Sequence, residues 1–200
     1  MPGEDLIQRF GYSEMYEWEA VPQGDRKLGR FVTFSKDDPS KITCVNKDSQ
    51  QVIGVTTVNS TIESDNPNDW KYKNICNEYG DLYLRKEKLA VGEKVYDQLN
   101  EINYIRTRPW EHFVPINNKY YDEKQQYVKR TSRIEWVRVN LMGKCIVYDG
   151  GTCKPGGYCT PYVGKMKENF GIAVPSVGTE KNRYYVLERL SENTILIFYK

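Results

Sequence analysis

Residues Arg130 to Pro161 read RTSRIEWVRVNLMGKCIVYDGGTCKPGGYCTP, and this stretch decides the fold class. Ile134 and Trp136 fall on one side of an extended chain, and Glu135, Val137 and Val139 on the other. That is the two-residue period of a strand, not the period of about 3.6 residues of a helix. A second apolar run, Leu141 to Tyr148, follows almost without a gap. Asp149-Gly150-Gly151 and Pro155-Gly156-Gly157 then give two turn signals. The pattern predicts a strand, a bend, a long strand, a tight turn and a short return.

The rest of the chain repeats that pattern. Residues 1–10 read as an arm, and Tyr12, Glu14, Tyr16 and Trp18 alternate with Ser13, Met15, Glu17 and Glu19. Strands are expected at Arg30–Ser35, near Ile42–Val45, at Gln51–Val58 and from Leu82. Asn59–Asn68 reads as a polar loop. Glu93–Asn103 suits either a short helix or an extended arm. Residues 100–127 are rich in Pro, Asn, Tyr and charge without a period, which marks an extended interaction arm. Phe170–Pro175, Tyr184–Leu190 and Thr194–Lys200 close the chain as strands, with Ile195–Tyr199 apolar on both faces, as in a central or interface strand. The expectation is a mainly β chain, an antiparallel barrel or sandwich with extended arms and little helix. It comprises an arm at 1–10 and a single β-rich domain at 11–200.

Composition narrows the function classes. With 29 Lys and Arg against 27 Asp and Glu, no strong field for nucleic acid or an acidic membrane arises. No apolar run approaches the roughly 18 residues that a membrane helix needs, and residues 1–10 do not read as a signal peptide. Partners are therefore expected to include neither nucleic acid nor membrane. Five scattered cysteines suit a chain made in a reducing cytosol. Sixteen tyrosines against one histidine suit either ordinary sheet packing or half-wet interface faces.

One residue stands out chemically. On a strand, Glu14 shares a face with Tyr12, Tyr16 and Trp18, and a carboxylate on an apolar face is costly unless paired. It is a candidate general acid or base, or else the partner of Arg26, Arg30 or a neighbouring chain's lysine. Glu17 falls on the opposite face, so the two make no carboxylate pair. Cys153 and Cys159 flank the turn at Pro155-Gly156-Gly157 and read as a disulfide or two free thiols. With Cys145 and His112 they do not match the close ligand pairs of a zinc site, so no metal is expected. His112, between aromatics, reads as packing. No phosphate-binding loop is present and no cofactor is implied.

Six blocks in order then bring a family into view. They are Tyr12-Ser13-Glu14-x-Tyr16-Glu17-Trp18; Gly24-Asp25-Arg26-x-x-Gly29-x-Phe31-Val32-Thr33; Ile53-Gly54-Val55; Trp70-Lys71-Tyr72 with Asn77-Glu78-Tyr79-Gly80; Tyr127-Val128-x-Arg130-x-x-Arg133-x-Glu135-Trp136-Val137; and Gly143 with Gly151-Thr152-Cys153 to Pro161. The chain resembles the autoproteolytic intramolecular-chaperone domain of phage tailspikes and neck appendages, the G2 peptidase family, in a form encoded by large DNA viruses. The resemblance implies a trimeric β-rich fold that assists fibre assembly and then cuts itself free. It assigns Glu14 as the carboxylate for that cut, Ser13 as a weaker candidate beside it, and the bond Phe10–Gly11 as the target. Three departures accompany it. Gly11 replaces the family's acidic residue after the cut, Phe10 replaces a small hydroxyl residue, and Asn77-Glu78 replaces an Asp-Glu pair. With Met1 ten residues ahead of the motif, a cut is expected to release only a decapeptide. The resulting expectation is a virion structural protein made in the host cytoplasm: a minor capsid, fibre or capsid-associated subunit. It would contact other virion proteins and itself as a trimer, with cleavage lost or incidental. The alternative is a self-cleaving assembly chaperone.

Overall fold

The computed structural model describes residues 11–23, 26–49, 51–58, 60–65, 67, 70, 73–89, 91–92, 94–97, 102–105, 110–122, 124 and 126–199. The arm expected at 1–10 lies outside the described residues. The chain divides into two compact units, one formed by residues 1–67 and 128–200, the other by 68–127.

The first unit is a strand barrel with further strands outside it. Its strands are β1 (Tyr12–Trp18), β2 (Phe31–Phe34), β3 (Lys41–Cys44), β4 (Gly54–Thr57), β5 (Ile62–Ser64), β10 (Trp136–Tyr148), β11 (Tyr158–Pro161), β12 (Ala173–Pro175), β13 (Tyr184–Ser191) and β14 (Thr194–Tyr199). Five of them close a ring in the order β10-β4-β2-β3-β1, with β1 returning to pair with β10. The closing pair is antiparallel, from Tyr12 opposite Met142 to Glu17 opposite Trp136. On its other edge β1 runs parallel to β3 through Glu17–Lys41 and Trp18–Ile42, and to β5 through Tyr12–Ile62 and Glu14–Ser64. The far half of β10 leaves the ring and pairs with β14, from Gly143–Tyr199 to Tyr148–Thr194. β13, β11 and β12 then extend that sheet.

Two expectations for the focal stretch change here. Trp136 to Tyr148 form one continuous strand of 13 residues where two strands were expected, and the expected bend survives as a local irregularity: the pairing with β1 steps from Asn140 to Met142 past Leu141, and the partner on the other edge changes there from β4 to β14. The short return, β11, pairs with β12 and β13 and not with β10. The apolar C-terminal strand β14 takes the place beside β10, in the central position that its two-faced hydrophobicity asks for.

Adjacent residues point to opposite faces of a strand, so Phe31 and Val32 face different ways, yet both are fully buried. Val32 joins Trp18, Ile42, Cys44, Val137 and Val139 in a cluster built only from ring strands, the inside of the barrel. Phe31 joins Val55, Cys145, Val147, Val186, Ile195 and Ile197, the layer between the ring and the outer sheet. Its ring stacks on Tyr184 with centroids 5.0 Å apart, and Tyr184 stacks on Tyr199 at 5.1 Å.

The turn after β10 is fixed by a buried ion pair. The Asp149 side chain is 0% exposed and Arg189 reaches it with both terminal nitrogens, 2.6 Å to Oδ2 and 3.3 Å to Oδ1. The amides of Gly151 and Cys153 also donate to this carboxylate, at 3.1 and 2.8 Å. Burial pushes the Asp149 carboxyl upward, but Arg189 and the two amides outweigh it and hold it below the ordinary carboxylate range.

The second unit contains β6 (Leu84–Leu89), β7 (Lys94–Asp97), β8 (Ile102–Ile105) and β9 (Trp110–Pro115). β6 pairs with β9 and β7 with β8, as two antiparallel ribbons. The choice left open for Glu93–Asn103 is thus settled as extended for its described residues. The Asn77 side chain closes the turn before β6 by accepting from the amides of Tyr79 and Asp81, both at 2.9 Å. His112 lies on β9 with Nε2 3.9 Å from Glu87.

Two outcomes follow. Phe31→Ala should cost about 3–5 kcal/mol in urea unfolding, from lost burial and the cavity left between two layers. Arg189→Ala should lower the urea midpoint at neutral pH, because it leaves the buried Asp149 carboxylate without its cation. The Asp149 carboxyl lies below its unfolded value, so the pair stabilises above the unfolded pKa and is lost as pH falls through the folded one. The gap between wild type and Arg189→Ala should therefore narrow on acidification below about pH 4.

Candidate functional site

Glu14 lies in the middle of β1, flanked by Val139 of β10 and Ser64 of β5. It faces the same side as Tyr12 and Tyr16, as alternation predicts, and both phenols bond it. The Tyr12 hydroxyl donates to Oε1, and the Tyr16 hydroxyl donates to Oε2 at 3.0 Å. Trp18, the third aromatic of that face, is buried in the barrel interior, against which Tyr16 also packs. Ser64 completes the site, with Oγ 2.7 Å from the Tyr12 hydroxyl and 3.3 Å from Glu14 Oε1. Hydroxyl donors therefore surround Glu14, in place of the arginine partner considered for it. The Arg26 guanidinium donates to the Thr131 carbonyl, and that of Arg30 lies over the Tyr148 ring at 4.8 Å.

The phenols respond to the carboxylate they hold. Burial first, then the bond to Glu14, pushes Tyr16 up to about 12. Tyr12 is also raised, chiefly by its bond to Glu14, while Ser64 opposes the rise. Both therefore stay protonated at neutral pH and act as donors. A carboxylate offers about four lone-pair directions. Here each of the two oxygens accepts from one phenol.

Ser13 is turned away from this group. It is fully buried on the other face of β1, opposite Asn140, and its hydroxyl donates to Ser60 at 2.6 Å. Cys153 and Cys159 are both buried, unoxidised thiols within the layer around Phe31. Their mutual hydrogen bond raises Cys159, with burial adding to it, and lowers Cys153. The pair stands apart from the Glu14 network. Among the described residues no group of three or more His, Cys, Asp or Glu is arranged to hold a metal ion.

Gly11 precedes the site. Its carbonyl accepts from the amides of Thr61 at 3.1 Å and Ile62 at 3.4 Å. A Cβ on Gly11 would stand 1.7 Å from the Met142 carbonyl oxygen, and one on Gly143, at φ +101°, would stand 2.9 Å from the Gly11 Cα. The two backbones meet where neither residue has a side chain, beside the irregularity between Tyr12 and Ser13. Phe10, on the far side of the bond expected to be cut, lies outside the described residues.

Sequence reasoning missed Ser64, because Ile62–Ser64 is a three-residue strand inside a polar run and too short to show a period. The signal available was Thr61-Ile62, the only adjacent β-branched pair in that run.

Comparisons with known proteins agree with this fold. The family described as Peptidase_G2, IMC autoproteolytic cleavage domain, matches residues 7–186. No curated protein matches the chain. Among solved structures, pre-mature bacteriophage phi29 gene product 12 is similar at 20% identity and a TM-score of 0.64, over 96% of this chain and 21% of that one. The phi29 gene product 12 C-terminal fragment is similar at 21% identity and a TM-score of 0.60, over 94% of this chain and 99% of the fragment. The chain thus spans about a fifth of the pre-mature phage protein, and at this identity the likeness is one of fold. This protein belongs to the Peptidase_G2 family of autoproteolytic cleavage domains.

Proposed function

We propose that the chain is a virion structural protein: a fibre, minor capsid or capsid-associated subunit that uses the G2 scaffold as a building block. In this reading cleavage at Phe10–Gly11 is lost or incidental, and Glu14 serves as a tie between β1 and β5. The observation that carries it is the packing of Gly11. Where the resemblance places an acidic side chain after the cut, the backbone of β10 leaves no room for any side chain. The acid that would accompany Glu14 is absent and has been replaced by a close backbone contact.

The surface supports an assembling role. The β6–β9 ribbon exposes Leu84 and Phe113, the latter to 67%, and Tyr83 just ahead of β6 is exposed too. A two-stranded ribbon is marginal in water by itself, and exposed apolar residues on it favour cover by another chain. Other virion proteins and further copies of this chain, as a trimer, are the partners this reading assigns.

A second reading, the self-cleaving assembly chaperone, is favoured by one observation: Glu14 is oriented by two phenols, one on each carboxylate oxygen. Such a carboxylate could activate a water or hydroxyl against the bond before Gly11.

Intact-mass spectrometry of the full chain expressed alone separates the two. The structural reading expects Met1–Phe10 to remain attached. A chain that begins at Gly11, with the trimming abolished in Glu14→Gln, establishes the second reading in its place. Gly11→Asp should lower stability by about 2 kcal/mol or more, as overpacking against fixed backbone does, read as a lower urea midpoint. An unchanged midpoint would remove the packing argument. Light scattering should return three times the chain mass, and a strictly monomeric mass would count against the trimer.

A further inference from the structure

Ser64 is held on both sides by arginines from the other end of the sequence. Arg130 Nη1 donates to the Asp65 carbonyl at 2.8 Å and to Asp65 Oδ2 at 2.5 Å. Its guanidinium lies 4.0 Å above the Trp136 ring, and its side chain is only 13% exposed. Arg138 Nη2 pairs with Glu63 Oε2 at 2.7 Å, and its Nη1 donates to the Val58 carbonyl at 2.5 Å. Both neighbours of Ser64 are therefore fixed by a guanidinium. Asp65 adopts φ +54°, in the left-handed region that a non-glycine residue occupies at a cost. Arg130, bonded to both the carbonyl and the carboxylate of that residue, is the group placed to offset this cost.

Proton counting shows what Ser64 does once it is there. Each hydroxyl has one proton, and that of Tyr12 goes to Glu14. The Ser64 proton then serves either the Tyr12 oxygen at 2.7 Å or Glu14 Oε1 at 3.3 Å. The shorter contact is the stronger one, giving a chain in which Ser64 donates to Tyr12 and Tyr12 donates to Glu14.

We infer that Arg130 and Arg138 are positioning residues for the Glu14 carboxylate, acting through Ser64 by clamping the segment 58–65 against β1. The arginines touch neither Glu14 nor the bond before Gly11. They set the hydroxyl that orients Tyr12, and Tyr12 in turn orients the carboxylate. Arg130 forms the stronger half, because a planar guanidinium can stack on Trp136 while donating to two oxygens, which a lysine cannot match. The inference deepens the reading of Glu14 as an acting carboxylate, and its test does not depend on whether the chain cuts itself.

The test follows the Tyr12 ring in the full-length chain labelled with 13C at tyrosine Cζ, assigned through Tyr12→Phe and titrated with base. Glu14, Ser64 and Asp65 all act on this phenol, so single variants are compared with a double one. Ser64→Ala should shift the Tyr12 titration upward, because a donor to its oxygen is removed. Arg130→Ala should shift it upward too, and Arg130→Ala/Ser64→Ala should match Arg130→Ala alone, since Ser64 has already left its place. Arg130→Lys, which keeps the charge near Asp65, should fall between wild type and Arg130→Ala and guards against an alanine variant that fails to fold. If the double variant moves further by the full Ser64→Ala increment, Arg130 acts only through its charge and the inference is overturned. It is overturned equally if Arg130→Ala leaves Tyr12 where it was. Separately, Glu14→Gln that moves neither Tyr12 nor Tyr16 would contradict the hydroxyl site itself, and with it the second reading of Glu14.

Discussion

The pairing of β1 with β10 is the constraint on which the rest of the first unit depends. It closes the ring, because β1 already lies beside β3 at its far end, and backbone pairing on both edges leaves no exposed ladder there. It can form only where two backbones approach at Gly11 and Gly143. The same register sets Glu14 between Val139 and Ser64. The closure of the barrel and the arrangement of the carboxylate are thus one event, and a change in either is felt in the other.

That coupling gives the Glu14 site a structural use independent of catalysis. A carboxylate at the rim of a barrel interior loses water on one side, and the hydroxyls of Tyr12 and Tyr16 replace those hydrogen bonds, with Ser64 behind Tyr12. The arrangement ties β1 to β5 and resists a slip of register, which would turn Glu14 to the other face of the strand.

Much of the fold was legible in the residues. Alternation over Tyr12–Trp18 and Ile134–Val139 located both partners of the closing pair, and the two-faced apolar run Ile195–Tyr199 indicated a central strand. Which strands pair was not legible, since β11 and β14 compete for the edge of β10 and only tertiary packing chooses between them. Glu14 and its two tyrosines could be read from their spacing, because neighbours on one face of a strand are fixed by period two. Ser64 could not, as it arrives from fifty residues away on a strand of three residues. The arginine clamp escaped for a similar reason. Arg130 and Arg138 are visible in the focal stretch, but their partners lie 65 and 80 residues distant. Alternation already put Ser13 on the face opposite Glu14, which is where β1 holds it.

The central claim is that a self-cutting scaffold serves here as an uncut structural subunit, and peptide mapping of purified virus particles tests it most directly. The account predicts a peptide that spans Phe10–Gly11, recovered in amounts equal to peptides from β10. Particles that lack the chain, while infected cells hold a form beginning at Gly11, would contradict it.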